Sequence, residues 1–202
     1  MRRVISFLSL LCCFIYAGAQ DSGSGSSEKK SYIHMLHMYC DSAHYFQKRN
    51  AFQAFGNVRM EQGDTLFLFG DYLDFDGDTN LARVRNNVQL IDKNSVLETD
   101  SLDFDRNTNV GYFFDYGTLS DEESTLSSYY GEYNVDSKDA LFLDDVSVEN
   151  PQFRMLSDTL RYNTESKVAA IIGPTNMYSG SSEVYSERGR YNMGTRQAVL
   201  LD

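Results

Sequence analysis

Asp71-Tyr72-Leu73-Asp74-Phe75-Asp76 recurs 29 residues later as Asp100-Ser101-Leu102-Asp103-Phe104-Asp105. The frame returns as Tyr129-Tyr130-Gly131-Glu132-Tyr133-Asn134, Asp158-Thr159-Leu160-Arg161-Tyr162-Asn163 and Glu187-Arg188-Gly189-Arg190-Tyr191-Asn192, always at a spacing of 29. A degenerate copy starts at Asp41, 30 residues before Asp71. The flanks keep step. Thr79, Thr108, Ser137, Ser166 and Thr195 form one column, Ala82, Gly111, Ala140, Ala169 and Ala198 a second, and Val84, Phe113, Phe142, Ile171 and Leu200 a third. Register held over this many columns identifies a structural repeat.

The contents of one copy say what the unit is. Residues 96–105 partly alternate apolar and polar side chains, and Asp-Arg-Asn-Thr-Asn then interrupts with turn formers. Residues 110–116 form a second β-like run. Two strands of about ten residues and two turns account for the period, so each copy reads as one antiparallel hairpin of a meander. Six copies predict about twelve strands, with almost no helix after residue 50. Period-two geometry then assigns faces. Leu73 shares a face with Phe75, Leu102 with Phe104, and Leu160 with Tyr162, while Tyr133 alone carries that face in its copy. Val84, Phe113, Phe142 and Ile171 share the equivalent face on the returning strands. Stacked copies set like residues above one another in ladders, and the sheet folds over a continuous apolar interior. The plainest reading of such ladders is a dry core.

Composition agrees with an all-β protein. The 202 residues include 14 Tyr and 13 Phe but no Trp and only two Pro. Eighteen basic against 29 acidic side chains give a net charge of −11, which repels phosphate backbones and argues against nucleic-acid partners. Arg2 and Arg3 precede an apolar run over residues 4–16, and Ala17-Gly18-Ala19 offers small residues for cleavage. That run rises only about 20 Å as a helix, short of a bilayer core of about 30 Å. Residues 1–19 therefore read as a cleavable secretory signal, residues 20–33 as a flexible linker, and residues 34–202 as the folded domain. Leu11 before Cys12 argues against lipidation. With the leader removed only Cys40 remains, so no internal disulfide is expected.

Motifs suggestive of chemistry have simpler explanations. Asp74-Phe75-Asp76-Gly77-Asp78 lacks the later ligands of a calcium loop, because Thr79 and Arg85 stand where Gly and an acid are needed. Its counterparts lose acids progressively, as hairpin turns do. His34, His37 and His44 near Cys40 show no carboxylate to orient them. Asp144-Asp145 could imitate a glycosidase pair, but solvated turns account for abundant Asp. No catalytic constellation, metal site or cofactor is expected.

Three stretches carry a family resemblance. They are Gly56-Asn57-Val58-Arg59-Met60-Glu61-Gln62-Gly63-Asp64-Thr65, then Asp71-x-Leu73-x-Phe75-Asp76-x-x-Thr79-Asn80-x-Ala82, then Asn87-Val88-Gln89-Leu90. Their cadence, repeated in register behind a signal peptide, resembles the OstA-like family of lipopolysaccharide-transport proteins over about residues 34–202. The resemblance implies an open β-jelly roll in the periplasm of a Gram-negative envelope. It implies a non-catalytic carrier whose apolar groove holds lipid A acyl chains on the way to the outer membrane. It also implies that such rolls join end to end by strand pairing, with other OstA-like rolls or with further copies. On that reading the groove is lined by Leu73, Phe75, Val84, Leu102, Phe104, Phe113, Tyr133, Phe142, Leu160, Tyr162 and Ile171. Gly131 and Gly189 depart from the pattern by replacing the Leu. Val199-Leu200-Leu201-Asp202 stops in mid-strand, which predicts an open pairing edge complementary to residues 41–58. A β-helical polysaccharide-acting enzyme, a membrane β-barrel and a structural repeat protein of the envelope remain alternatives at this point.

Overall fold

The computed structural model describes residues 36–201; the expected leader, the whole of the expected linker, His34 and Asp202 lie outside them. The strands are β1 (Leu36–Tyr39), β2 (Ser42–Phe46), β3 (Ala51–Gln62), β4 (Leu66–Asp76), β5 (Leu81–Asp92), β6 (Ser95–Asp105), β7 (Val110–Ser120) and β8 (Thr125–Asn134). They continue as β9 (Asp139–Asn150), β10 (Phe153–Asn163), β11 (Val168–Ile171), β12 (Thr175–Ser179), β13 (Ser182–Ser186), β14 (Arg188–Asn192) and β15 (Gln197–Leu201). All fifteen belong to one open antiparallel sheet. The only helical element among the described residues is a 3-10 turn at Gln47–Arg49. Sequence alone predicts twelve strands. The surplus has a local cause, because β1 and β2 both pair with β3, β11 and β12 both with β10, and β13 and β14 with β12 and β11. Each is half of a strand broken at its midpoint, and counting the halves together restores twelve.

The break falls where every strand bends. Register shifts interrupt each pairing from β3·β4 through β9·β10 near mid-strand. On alternate strands the bend is made by two successive left-handed residues: Gly56-Asn57, Asn86-Asn87, Asp115-Tyr116 and Asp144-Asp145. Asn, Asp and Gly tolerate that conformation better than other residues, and the extra residue of a bulge sharpens the twist. Asp144 and Asp145 are therefore corner residues of the sheet, both exposed. On the intervening strands from β6 onward the bend carries a buried hydroxyl, Thr99, Ser128, Ser157 or Ser186, where β4 has Gly70. Ser128, Ser157 and Ser186 each donate to the carbonyl two residues on, at 2.7, 3.1 and 2.7 Å. A carbonyl displaced from the ladder thus keeps a partner.

At the hairpin tips Asp76, Asp105, Asn134, Asn163 and Asn192 accept hydrogen bonds from backbone N–H groups two or three residues on. Asn80, Asn109, Lys138, Lys167 and Arg196 then close the turns at positive φ. The calcium-like segment at Asp74–Asp78 is one of these Asx turns.

Candidate functional site

Bending divides the sheet into two facing walls. Strand pairing aligns Leu73, Val84, Leu102, Phe113, Gly131, Phe142, Leu160 and Ile171 across the first wall in one ladder. Phe75, Ala82, Phe104, Gly111, Tyr133, Ala140, Tyr162 and Ala169 form a second ladder beside it. Large rings alternate with Ala or Gly there, so each ring settles over a small neighbour. All eleven residues expected to line a groove are buried, and all but Ile171 belong to one apolar cluster.

Gly131 has a packing reason. A side chain there would run into the Phe113 ring and the Leu141 carbonyl, and one at Gly117 would come within 2.5 Å of the same ring. Phe113 fills the volume those glycines leave. At Gly189 a Cβ would lie 2.6 Å from the Val199 carbonyl.

The opposite wall is absent from the expected lining. It consists of Met60, Leu68, Leu90, Leu97, Leu119, Leu126, Val148 and Met155, aligned in a third ladder and buried in the same cluster. Its spacing was readable, because Leu68, Leu97, Leu126 and Met155 stand 29 apart, as do Leu90, Leu119 and Val148. What one copy does not disclose is that the bend turns this half-strand back over the first wall. Asp103, beside the first wall, has a side chain only 24% exposed, and Arg85 Nη2 donates to it at 2.7 Å.

Two buried polar triads join the walls. Tyr133 donates to Asp92 Oδ2 at 2.7 Å, and Lys138 Nζ reaches the same oxygen at 2.6 Å. One copy later Tyr162 donates to Asp121 Oδ2 at 2.6 Å, and Lys167 Nζ reaches it at 2.8 Å. Burial pushes the Asp121 carboxyl up, but the bonds from Lys167, Tyr162 and the N–H groups of Glu123 and Ser124 outweigh it and hold the group below its ordinary value. Burial, then the adjacent carboxylates, push both phenols far up. Asp92 and Asp121 are thus not solvated turn acids; their side chains are 4% and 1% exposed.

The triads do not extend to the ends. One copy earlier the equivalent positions are Gln62, Phe104 and Asn109; one copy later they are Asn150, Tyr191 and Arg196. In the earlier copy Met60, Gln62, Leu66, Leu68, Leu90, Phe104 and Arg106 surround a cavity of about 20 Å³ between the walls. Arg106 occupies an interior column otherwise filled by Val135, Thr164 and Met193, all buried. The arrangement offers apolar volume and one cation. No group of three or more His, Cys, Asp and Glu is placed to hold a metal among the described residues.

Comparison with known proteins gives one family. The family model described as OstA-like protein matches residues 29–158. No curated protein matches the chain. Among solved structures, the chain is similar to LptH from Pseudomonas aeruginosa, described as the LptA-homologous periplasmic component of the conserved lipopolysaccharide transport device. Identity is 15% and the TM-score 0.31, over 67% of this chain and 80% of that one.

Proposed function

We propose that this chain, which belongs to the OstA-like protein family, carries lipopolysaccharide through the periplasm by holding acyl chains between its two walls. The observation that carries this reading is the pair of facing apolar walls, continuous from copy to copy and buried in one cluster. An acyl chain inserted between them exchanges water for methyl and ring contacts, worth about 0.8 kcal/mol per methylene. The role is non-catalytic: the interior is apolar and its buried carboxylates are held by Tyr and Lys partners. Residues 1–19 serve as the export signal, 20–33 as a linker and 34–202 as the carrier domain. At its ends the roll pairs with other OstA-like rolls of a transport bridge, through β1 and β2 on one side and β13 and β15 on the other.

Photo-crosslinking tests the reading. Benzophenone side chains at Phe104 and Phe142, both buried in the first wall, should label with lipopolysaccharide, and one at exposed Asp136 should not. Equal labelling at all three positions would remove the interior as the binding site.

A further inference from the structure

The seam between the walls is latched in mid-roll and unlatched at its N-terminal copy, and the unlatched place differs from the rest in one more respect. Asp92–Tyr133–Lys138 and Asp121–Tyr162–Lys167 tie wall to wall in consecutive copies. Gln62, Phe104 and Asn109 replace all three members in the copy before, so no buried carboxylate stands in that register. Arg106 lies there with its side chain among apolar neighbours. Its Nε is buried and has no hydrogen-bond partner, and the guanidinium forms no ion pair among the described residues. Its carbon centre stands 5.8 Å from the Phe75 ring centroid. In a chain with 29 acidic side chains, a half-buried cation whose Nε is enclosed without a partner and without an acid beside it is an unmet demand. The other unlatched end differs: Glu122, Glu123, Asn150, Gln152 and Arg196 line the cleft there, which makes it polar.

We infer that Arg106 and the apolar cavity beside it form a binding site for the anionic headgroup end of a single-chain or multi-chain amphiphile, with the acyl chain directed between the walls. The inference rests on the proposed lipid-carrier reading and assigns one end of the ligand to one place in it. Met60, Leu68, Leu90 and Phe104 take the methylenes nearest the headgroup. Arg106 supplies two directed N–H donors to a phosphate or carboxylate, from a half-buried position beside the apolar cavity. Burial also holds the guanidinium below its ordinary basicity, yet it remains cationic at any physiological pH. An incoming anion relieves the charge that the chain itself leaves unpaired.

Calorimetric titration of the purified protein with decyl phosphate, decanol and inorganic phosphate tests this. Decyl phosphate should bind at least about tenfold more tightly than decanol, and Arg106→Met should abolish that difference while leaving decanol binding unchanged. Inorganic phosphate should not bind measurably. Arg106→Met should melt no lower than the wild type, because it removes a buried donor that has no partner, and Arg106→Gln, which keeps a polar but uncharged group, should lose the same preference for decyl phosphate. Unchanged decyl phosphate affinity in both variants would overturn the assignment to Arg106 while leaving the lipid-carrier reading standing. Failure of both alkyl compounds to bind the wild type would count against the carrier reading as well. Phosphate binding as tight as decyl phosphate would show a free-anion site and overturn the amphiphile assignment, as would a lower melting temperature in Arg106→Met.

Discussion

Asp121 shows how one side chain closes the roll. Its carboxylate accepts from Tyr162 and Lys167, which reach it from 41 and 46 residues away, and from the backbone of its own turn. Removing Lys167 leaves the carboxylate buried without its charge partner, so Lys167→Met should destabilise by about 2–3 kcal/mol, less than a fully buried pair because Lys167 is partly exposed. Tyr162→Phe removes one hydrogen bond and should cost about 1–2 kcal/mol; denaturant midpoints distinguish the two. The acid dependence has a definite sign. Unfolded, the carboxyl titrates near about 3.9, and folded it lies lower. Its contribution is therefore full above about pH 4 and lost as pH falls through the folded value. Asp121→Asn should flatten that acid limb of stability while lowering the neutral plateau. None of these pairings could be read from one copy, because the partners meet across two walls. Their equal spacing, 29 from Asp92 to Asp121, Tyr133 to Tyr162 and Lys138 to Lys167, is the signal that was there to find.

Within a strand, packing overrides the repeat consensus. Leu occupies the first ladder at Leu73, Leu102 and Leu160, so Gly131→Leu restores the pattern of the other copies. It should nevertheless destabilise by about 3 kcal/mol, since the new side chain overlaps the Phe113 ring and the facing backbone. A thermal melt reads this out, and a neutral result would show Phe113 free to move aside. The corners give a second case. Asn87 stands at φ 52° in the bend of β5, where a β-branched residue is strained. Asn87→Val should cost about 1–2 kcal/mol, whereas Asn87→Gly should be close to neutral. The hairpins and first-wall ladders were legible because period-two alternation survives in every copy. The corners were not, because Gly-Asn, Asn-Asn, Asp-Tyr and Asp-Asp share a conformation rather than a chemistry. Without the corners, one long face per strand could not be recognised as two opposed walls.

At the scale of the whole sheet, the described residues leave exposed edges around an apolar interior. The apolar Val199 and Leu201 of β15 are 65% and 57% exposed, and an edge strand offers unpaired backbone groups to another chain. Pairing this edge with β1 and β2 of the next roll does not close on itself, so it should give open assemblies that lengthen with concentration. Light scattering over a dilution series should show this growth, and Leu200→Pro should suppress it by removing a donor from the edge. Unchanged association in that variant would place the contact elsewhere. The interior sets the more central demand. Its walls already touch, so the proposed carrier role requires acyl chains to part them, and the two triads define where parting is resisted. Intermolecular NOEs between acyl methylenes of lipopolysaccharide and isotope-labelled methyl groups of the protein measure this most directly. The account predicts contacts to Leu73, Leu102 and Leu160 on one wall and to Leu97 and Leu126 on the other, and none to Leu143 or Val199, which are exposed. Contacts confined to the exposed methyls, with the interior ones silent, would contradict it.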